Sequence, residues 1–145
     1  MNLKIGSLIA FIVAVGGVVY LYQKGHIFSG NPITIIIQVL ATGLMIWARL
    51  TFGIRSFNAS ANTTKGNLVT NGPYRWFRHP IYAALIYFFI GSLIAFPTTE
   101  VVLAVILISS GLFVRMLLEE KSLSITYPEY AEYCKKTKRI IPFIF

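Results

Sequence analysis

Charge is what this sequence has least of. Only 12% of its 145 residues are Asp, Glu, Lys or Arg, about half of the roughly 25% of an ordinary soluble domain. Hydrophobic residues make up 56%, so lipid is the solvent that suits the chain. Cysteine is nearly absent. Cys134 stands alone, which excludes an intrachain disulfide, and its distance from the C-terminus excludes a prenylation box. Histidine is scarce as well: His26 and His79 are far apart, no Cys/His cluster has zinc spacing, and no metal is expected. The few charges are one-sided, thirteen Lys and Arg against five acids, for a net charge of +8. A basic balance can serve nucleic acid or an anionic membrane surface. Here the bases flank apolar segments and form no stripe of their own, so no nucleic-acid partner is expected and membrane lipids are.

Long uncharged runs take up the rest. Ile5–Tyr22, Pro32–Ala48 and Pro80–Thr99 carry no charge, and Val101–Val114 is uncharged up to Arg115. A helix needs about 20 apolar residues to cross the hydrocarbon core. The fourth run reaches that length with Arg115 at the interface and Met116–Leu118 continuing the helix. The expected fold is all-α and integral to the membrane, a single domain over 1–145. Four spans are expected at 4–22, 32–51, 80–96 and 99–118, the last two as a hairpin, before a cytoplasmic tail 119–145. Pro128 suits the first position of a helix in that tail. Lys4 ahead of the first span resembles the start of a signal peptide, but no small-residue cleavage site follows, so an uncleaved anchor is expected.

With the N-terminus in the cytoplasm, twelve bases lie inside and only Lys24 outside. This positive-inside pattern puts both termini in the cytoplasm and suits a prokaryotic plasma membrane. The outer links are then Gln23–Asn31 and the turn at Phe96–Thr99, where a threonine is expected to cap the fourth helix. Gly6, Ala10 and Ala14, and again Ala84, Gly91 and Ala95, recur at helical spacing, as close helix packing in lipid requires.

Two clusters could carry chemistry. Asn71-Gly72-Pro73-Tyr74 is turn chemistry, and Arg75, Trp76, Phe77, Arg78, His79, Pro80, Ile81 and Tyr82 follow. An interfacial anchor of Arg and Trp explains the first part. It does not explain a rigid turn followed by Arg-His-Pro. Pro80 starts a helix, so backbone N–H groups near His79 are expected to suit an anion. The second cluster is Arg115 with Glu119 and Glu120. Arg115 and Glu119 share a helix face at i, i+4. That spacing alone reads as a structural ion pair, but ionisable residues at the end of a span are functional candidates. The hairpin brings Arg115 and Glu119 back toward His79 and Tyr82. Tyr127, Tyr130 and Tyr133 recur every three residues, as an aromatic face docking the tail on the bundle would.

These residues carry a resemblance. Leu68-Val69-Thr70-Asn71-Gly72-Pro73-Tyr74 with Arg78-His79-Pro80-Ile81-Tyr82 resembles the core signature of the isoprenylcysteine carboxyl methyltransferase and phospholipid methyltransferase group. Glu119-Glu120-Lys121-Ser122-Leu123 resembles its Glu-Glu-x-x-Leu element, and Tyr130, Tyr133, Arg139, Ile140, Ile141 and Pro142 its tail pattern. The match runs from about Leu68 onward.

The resemblance implies methyl transfer from S-adenosylmethionine, with S-adenosylhomocysteine as product, to a lipophilic or lipidated substrate. It implies cofactor contacts from Tyr74, His79, Pro80, Ile81, Tyr82 and Glu119, with Gly66, Asn67, Leu68 and Val69 lining the same pocket. Members often carry histidine where this chain has Gly66. Arg115 matches the arginine placed beside the methyl acceptor. Arg115 and Glu119 are thus the candidate catalytic residues.

Such a transfer is an in-line displacement that needs no metal; the enzyme must align donor and acceptor and exclude water. Arg115 would orient an acceptor carboxylate. A phospholipid amine acceptor would instead need Glu119 as a base. Carboxyl O-methylation is the leading expectation and phospholipid N-methylation the second. A sterol-type membrane reductase using NADPH shares the Arg-His-Pro element but calls for more helices. A non-enzymatic membrane scaffold is the remaining alternative.

Overall fold

The computed structural model describes residues 3–53, 67–142 and 144. Five helices account for most of them: α1 Leu3–Gln23, α2 Pro32–Phe52, α3 Pro80–Ala95, α4 Thr99–Thr126 and α5 Tyr130–Lys136. No strand occurs among the described residues; Phe77 and Lys138 form one isolated parallel bridge. α1, α2 and α4 are long and apolar enough to cross a membrane. α3 has 16 residues and spans about 24 Å at 1.5 Å per residue.

Local chemistry explains the helix ends. Asn31 Oδ1 accepts from Ile33 N at 2.9 Å ahead of Pro32, the first residue of α2. Thr98 caps α4, its side chain accepting from Val101 N. α4 continues to Thr126, beyond the end at 118 that its apolar run suggests. Glu119–Thr126 contains no Gly or Pro, and charged helix formers extend a helix as readily as leucine does. Pro128 stops it: the residue before a proline is driven to extended backbone, and Tyr127 (φ −116°, ψ 108°) is that residue, its N–H closing the last turn on Leu123 O. The tail helix then starts at Tyr130, with Pro128 in the turn before it.

The helices expose large apolar side chains and bury several polar ones along their seams. Ile12, Val39, Leu40, Leu50 and Leu103 are exposed, while Ser7, Thr34, Gln38 and Ser92 are buried. In lipid an apolar face gains nothing by burial, so close contact and hydrogen bonds hold the seams. α1 packs chiefly on α4, and α2 chiefly on α3. α3 and α4, although joined by only Phe96–Thr98, touch each other less than each touches its other partner.

The α1–α4 seam is antiparallel. Tyr20 donates to Glu100 at 2.8 Å near one end, and Arg115 lies over the Phe11 ring at 5.1 Å toward the other. Between them, a Cβ on Gly111 would lie 2.6 Å from Ala10 O, and one on Gly17 2.6 Å from Ile108 Cγ1. The α2–α3 seam is polar at one end. Gln38 Nε2 (2.7 Å) and Ser92 Oγ (3.0 Å) both donate to the carbonyl of Ile27, and Thr34 Oγ1 donates to Gly91 O at 3.3 Å. These bonds pull the 24–31 connection down onto the bundle and satisfy a carbonyl that hydrocarbon could not.

The seam geometry makes a contrast testable. Gly111→Ala forces the Ala10 backbone away and should cost about 1–3 kcal/mol, read as a lower thermal midpoint in detergent. Gly43→Ala, where a Cβ meets nothing within 4 Å, should leave the midpoint unchanged or slightly raised. Equal effects at the two positions would contradict the seam.

Candidate active site

Residues 71–82 turn the chain from α2 into α3. Gly72 has φ +56°, and a Cβ there would lie 2.6 Å from Thr51 Oγ1. Only glycine fits both the conformation and the space. The following residues form a 3-10 turn, Gly72–Arg75, seated on the end of α2, with Phe52 and Tyr74 rings 5.5 Å apart. Tyr74 is buried, and its carbonyl accepts from Tyr133 Oη at 2.7 Å. Burial raises both phenols above their ordinary pKa, and the phenol of Tyr133 and the carboxylate of Glu119 raise Tyr74 further. Both stay neutral at any physiological pH, so Tyr133 is a permanent donor.

One polar cluster joins α3 to α4. Arg115 Nε donates to Tyr82 Oη at 2.7 Å and lies 3.4 Å from Glu119 Oε1. Tyr82 Oη in turn donates to Glu119 Oε1 in a short bond. Arg115 also faces the Tyr82 ring at 6.0 Å. The cluster is graded in exposure: the Arg115 side chain is 6% exposed and that of Glu119 25%.

A second cluster forms one residue further along. Glu120 accepts from Arg78 Nε at 3.0 Å and Arg139 Nη2 at 2.9 Å, and its Oε1 lies 3.3 Å from His79 Nε2. Arg78 Nη1 also donates to the carbonyls of Thr137 (2.6 Å) and Cys134 (3.1 Å). The chain after α5 runs beside the start of α3, with Arg78 N donating to Lys138 O at 2.7 Å and His79 N to Arg139 O at 3.1 Å. The Glu120 carboxylate raises the Arg139 pKa, so that guanidinium stays charged. The His79 and Tyr82 rings stack at 5.6 Å, which sets the two clusters side by side.

The structure brings His79, Tyr82, Arg115 and Glu119 together, and Tyr74 sits within electrostatic reach of Glu119. Pro80 is buried and Ile81 half-buried in the first turn of α3. Asn67, Leu68 and Val69 run as irregular chain into the Gly72 turn, Asn67 exposed and the other two half-buried. Gly66 lies outside the described residues. The carboxylate in contact with His79 is Glu120. The His79 N–H, expected to suit an anion, is already bound by the Arg139 carbonyl.

Glu120, Arg78 and Arg139 escape sequence reasoning as a unit. A signal was there: adjacent helical residues point about 100° apart, so a Glu-Glu pair cannot serve one cluster only. Tyr130 and Tyr133 are buried as a docking face would be, with Tyr127 half-buried.

Comparison with known proteins gives the family. Residues 33–125 match the isoprenylcysteine carboxyl methyltransferase (ICMT) family. The chain belongs to that family. Over 92% of its length it is 30% identical to a protein-S-isoprenylcysteine O-methyltransferase of Tribolium castaneum, covering 51% of that protein. It is 34% identical over 67% of its length to the Xenopus laevis protein of the same name, covering 35% of it. The cobalt-zinc-cadmium resistance protein CzcN of Cupriavidus metallidurans is 29% identical over 77% of the chain, which covers 50% of it. The chain thus spans about half the length of these curated relatives, or less. No solved structure matches. The family and the three long apolar helices together make this an integral membrane protein.

The Tyr82 hydroxyl is the joint of the first cluster. Tyr82→Phe removes a donor to Glu119 and an acceptor for Arg115 while keeping the ring. It should cost about 1–3 kcal/mol through the groups left unsatisfied, measured by thermal unfolding in detergent. An unchanged midpoint would contradict these bonds.

Proposed function

We propose that the chain transfers a methyl group from S-adenosylmethionine to the carboxyl group of a lipophilic acceptor of the isoprenylcysteine type, at the cytoplasmic face of the membrane. The observation that carries this reading is a buried arginine, Arg115, held by Tyr82 and Glu119 at the end of an apolar helix. Two relatives are named as protein-S-isoprenylcysteine O-methyltransferases, and the residues that resemble the family signature are those that meet here.

The residues suit such a donor. Glu119 presents a partly exposed carboxylate beside the Tyr82 ring, and Tyr74 stands near it. A carboxylate and aromatic faces both favour a cation, the latter by about 0.5–2 kcal/mol. When bound, S-adenosylmethionine supplies an electrophilic methyl group on a positively charged sulfur. Tyr74, His79, Pro80, Ile81, Tyr82 and Glu119 would hold it, with Gly66–Val69 beside them. Arg115 orients the acceptor carboxylate; a guanidinium presents five N–H donors in a fixed fork, and Tyr82 and Glu119 steady it through Nε. The low exposure of Arg115 keeps water from competing for that carboxylate. An amine acceptor would need a base, and Glu119, the candidate, is already engaged by Tyr82 and Arg115. The carboxyl acceptor is therefore the reading retained.

Four crossings with both termini in the cytoplasm put Glu119 toward the water-soluble donor and Arg115 one turn deeper, opposite Phe11. A lipid-borne acceptor and an aqueous donor then meet at one depth.

Three measurements test this. S-adenosylhomocysteine should bind the purified chain, and His79→Ala and Glu119→Ala should abolish binding while the variants remain folded; a folded chain that binds none would refute the reading. Arg115→Lys keeps the charge but loses the fork. It should lower kcat/KM for a prenylcysteine acceptor on the order of 10²-fold, with a far smaller change in S-adenosylhomocysteine affinity. Finally, Cys134 is the single cysteine and lines an open depression with Tyr127 and Tyr130. A membrane-impermeant maleimide should label it in inverted vesicles and not in right-side-out ones; the reverse would invert the topology.

A further inference from the structure

Apart from His79, the Glu120 cluster has no part in the methyl transfer just described, yet its carboxylate meets three basic side chains. Its carboxylate is 13% exposed, and the facing His79 side chain 4%. The four groups come from three separate pieces of chain. Glu120 is on α4, Arg78 and His79 precede α3, and Arg139 follows α5. The segment 137–140 is a strap across the start of α3. Arg78 N bonds to Lys138 O, His79 N to Arg139 O, and Lys138 N to Trp76 O at 3.1 Å. Tyr87 Oη holds its far end, donating to Ile140 O at 2.7 Å.

His79 is therefore gripped twice, by the strap through its backbone and by Glu120 through its ring. A carboxylate at Nε2 favours a hydrogen on that nitrogen and fixes the ring plane. That plane is the one stacked on Tyr82, 20° from parallel. The charges make the grip conditional. Without the Glu120 carboxylate, the Arg78 and Arg139 guanidiniums would lose the anion they share, and the His79 ring its carboxylate partner. Like charges that lose a shared counter-ion repel, and Arg139, whose side chain is 32% exposed, is the one able to move toward water. The strap and the His79 ring would then loosen together.

We propose that Glu120 is a positioning residue that ties the 137–140 strap to the His79 ring, so that docking of the strap and completion of the methyl-donor site are one event. This rests on the donor site proposed above. It follows that Glu120 acts mainly on affinity for the donor, since its carboxylate bonds to His79 and not to Arg115. Glu119 and Glu120 divide the work: one faces the reacting groups, the other holds the wall behind them.

The experiment uses the full chain in lipid nanodiscs with S-adenosylhomocysteine as the probe. Binding is read by calorimetry, and docking of the strap by trypsin cleavage at the exposed Lys135, Lys136 and Lys138. In the wild type, S-adenosylhomocysteine should slow this cleavage. Glu120→Gln keeps the size and removes the charge; it should weaken binding about tenfold and abolish the protection at the wild-type saturating concentration, while the acceptor KM moves less than about twofold. Arg139→Gln should weaken binding about threefold, Arg139→Lys should restore most of it, and the double variant should be no weaker than Glu120→Gln alone. Unchanged affinity and unchanged cleavage in Glu120→Gln and Arg139→Gln would overturn the inference. So would an acceptor KM that rises in step with the donor constant, or losses that multiply in the double variant. Should Glu120→Gln not fold, the Arg139 pair carries the test: Arg139→Gln without effect on affinity or protection overturns the inference. A wild type that binds no S-adenosylhomocysteine overturns the donor reading and this inference with it; wild-type binding that the variants leave intact overturns this inference alone.

Discussion

A carboxylate taken out of water must be paired, and in this chain two adjacent ones are. Glu119 and Glu120 leave α4 about 100° apart and must find cations on different sides. Glu119 meets Arg115 and Tyr82; Glu120 meets Arg78, His79 and Arg139. Satisfying the first draws α3 against α4, and satisfying the second draws the chain after α5 across the start of α3. The site exists because these two demands fall next to each other on one helix. A single acid would have joined two helices without the ion pair that ties Arg139 to α4.

The membrane seams make that pairing possible. α3 and α4 are consecutive, but each leans mainly on another helix, α2 and α1 respectively. Gly111 and Gly17 let α4 approach α1 closely enough for Arg115 to reach the Phe11 ring. Gly72 does the same for the turn that seats on Thr51 at the end of α2. Small residues thus set how closely α4 meets α1 and the 72–75 turn meets α2. In lipid, where burial of leucine brings nothing, that closeness has few other sources.

Much of this was legible in the sequence because it is local. Uncharged runs marked the four apolar helices. Pro32 and Pro80 marked helix starts, and Thr98 a cap. Asn-Gly-Pro marked a turn that only glycine could make. The i, i+4 spacing of Arg115 and Glu119 set them on one face before any fold was known, and the family signature singled out Tyr82 and His79. The end of α4 was less legible. Hydropathy stops at Leu118, whereas helix propensity continues through Glu119–Thr126 until the break at Tyr127, just before Pro128.

The sequence by itself determined the solvent, the helices and the residue types that can act, since each depends on composition or on spacing within one segment. Which glutamate faces His79, that Arg139 takes the His79 N–H, and that the tail straps the start of α3 were decided by tertiary structure alone. These are contacts across 41 to 62 residues. Their partners are chosen by the angle at which adjacent side chains leave a helix and by where the seams place it. No local pattern encodes either quantity.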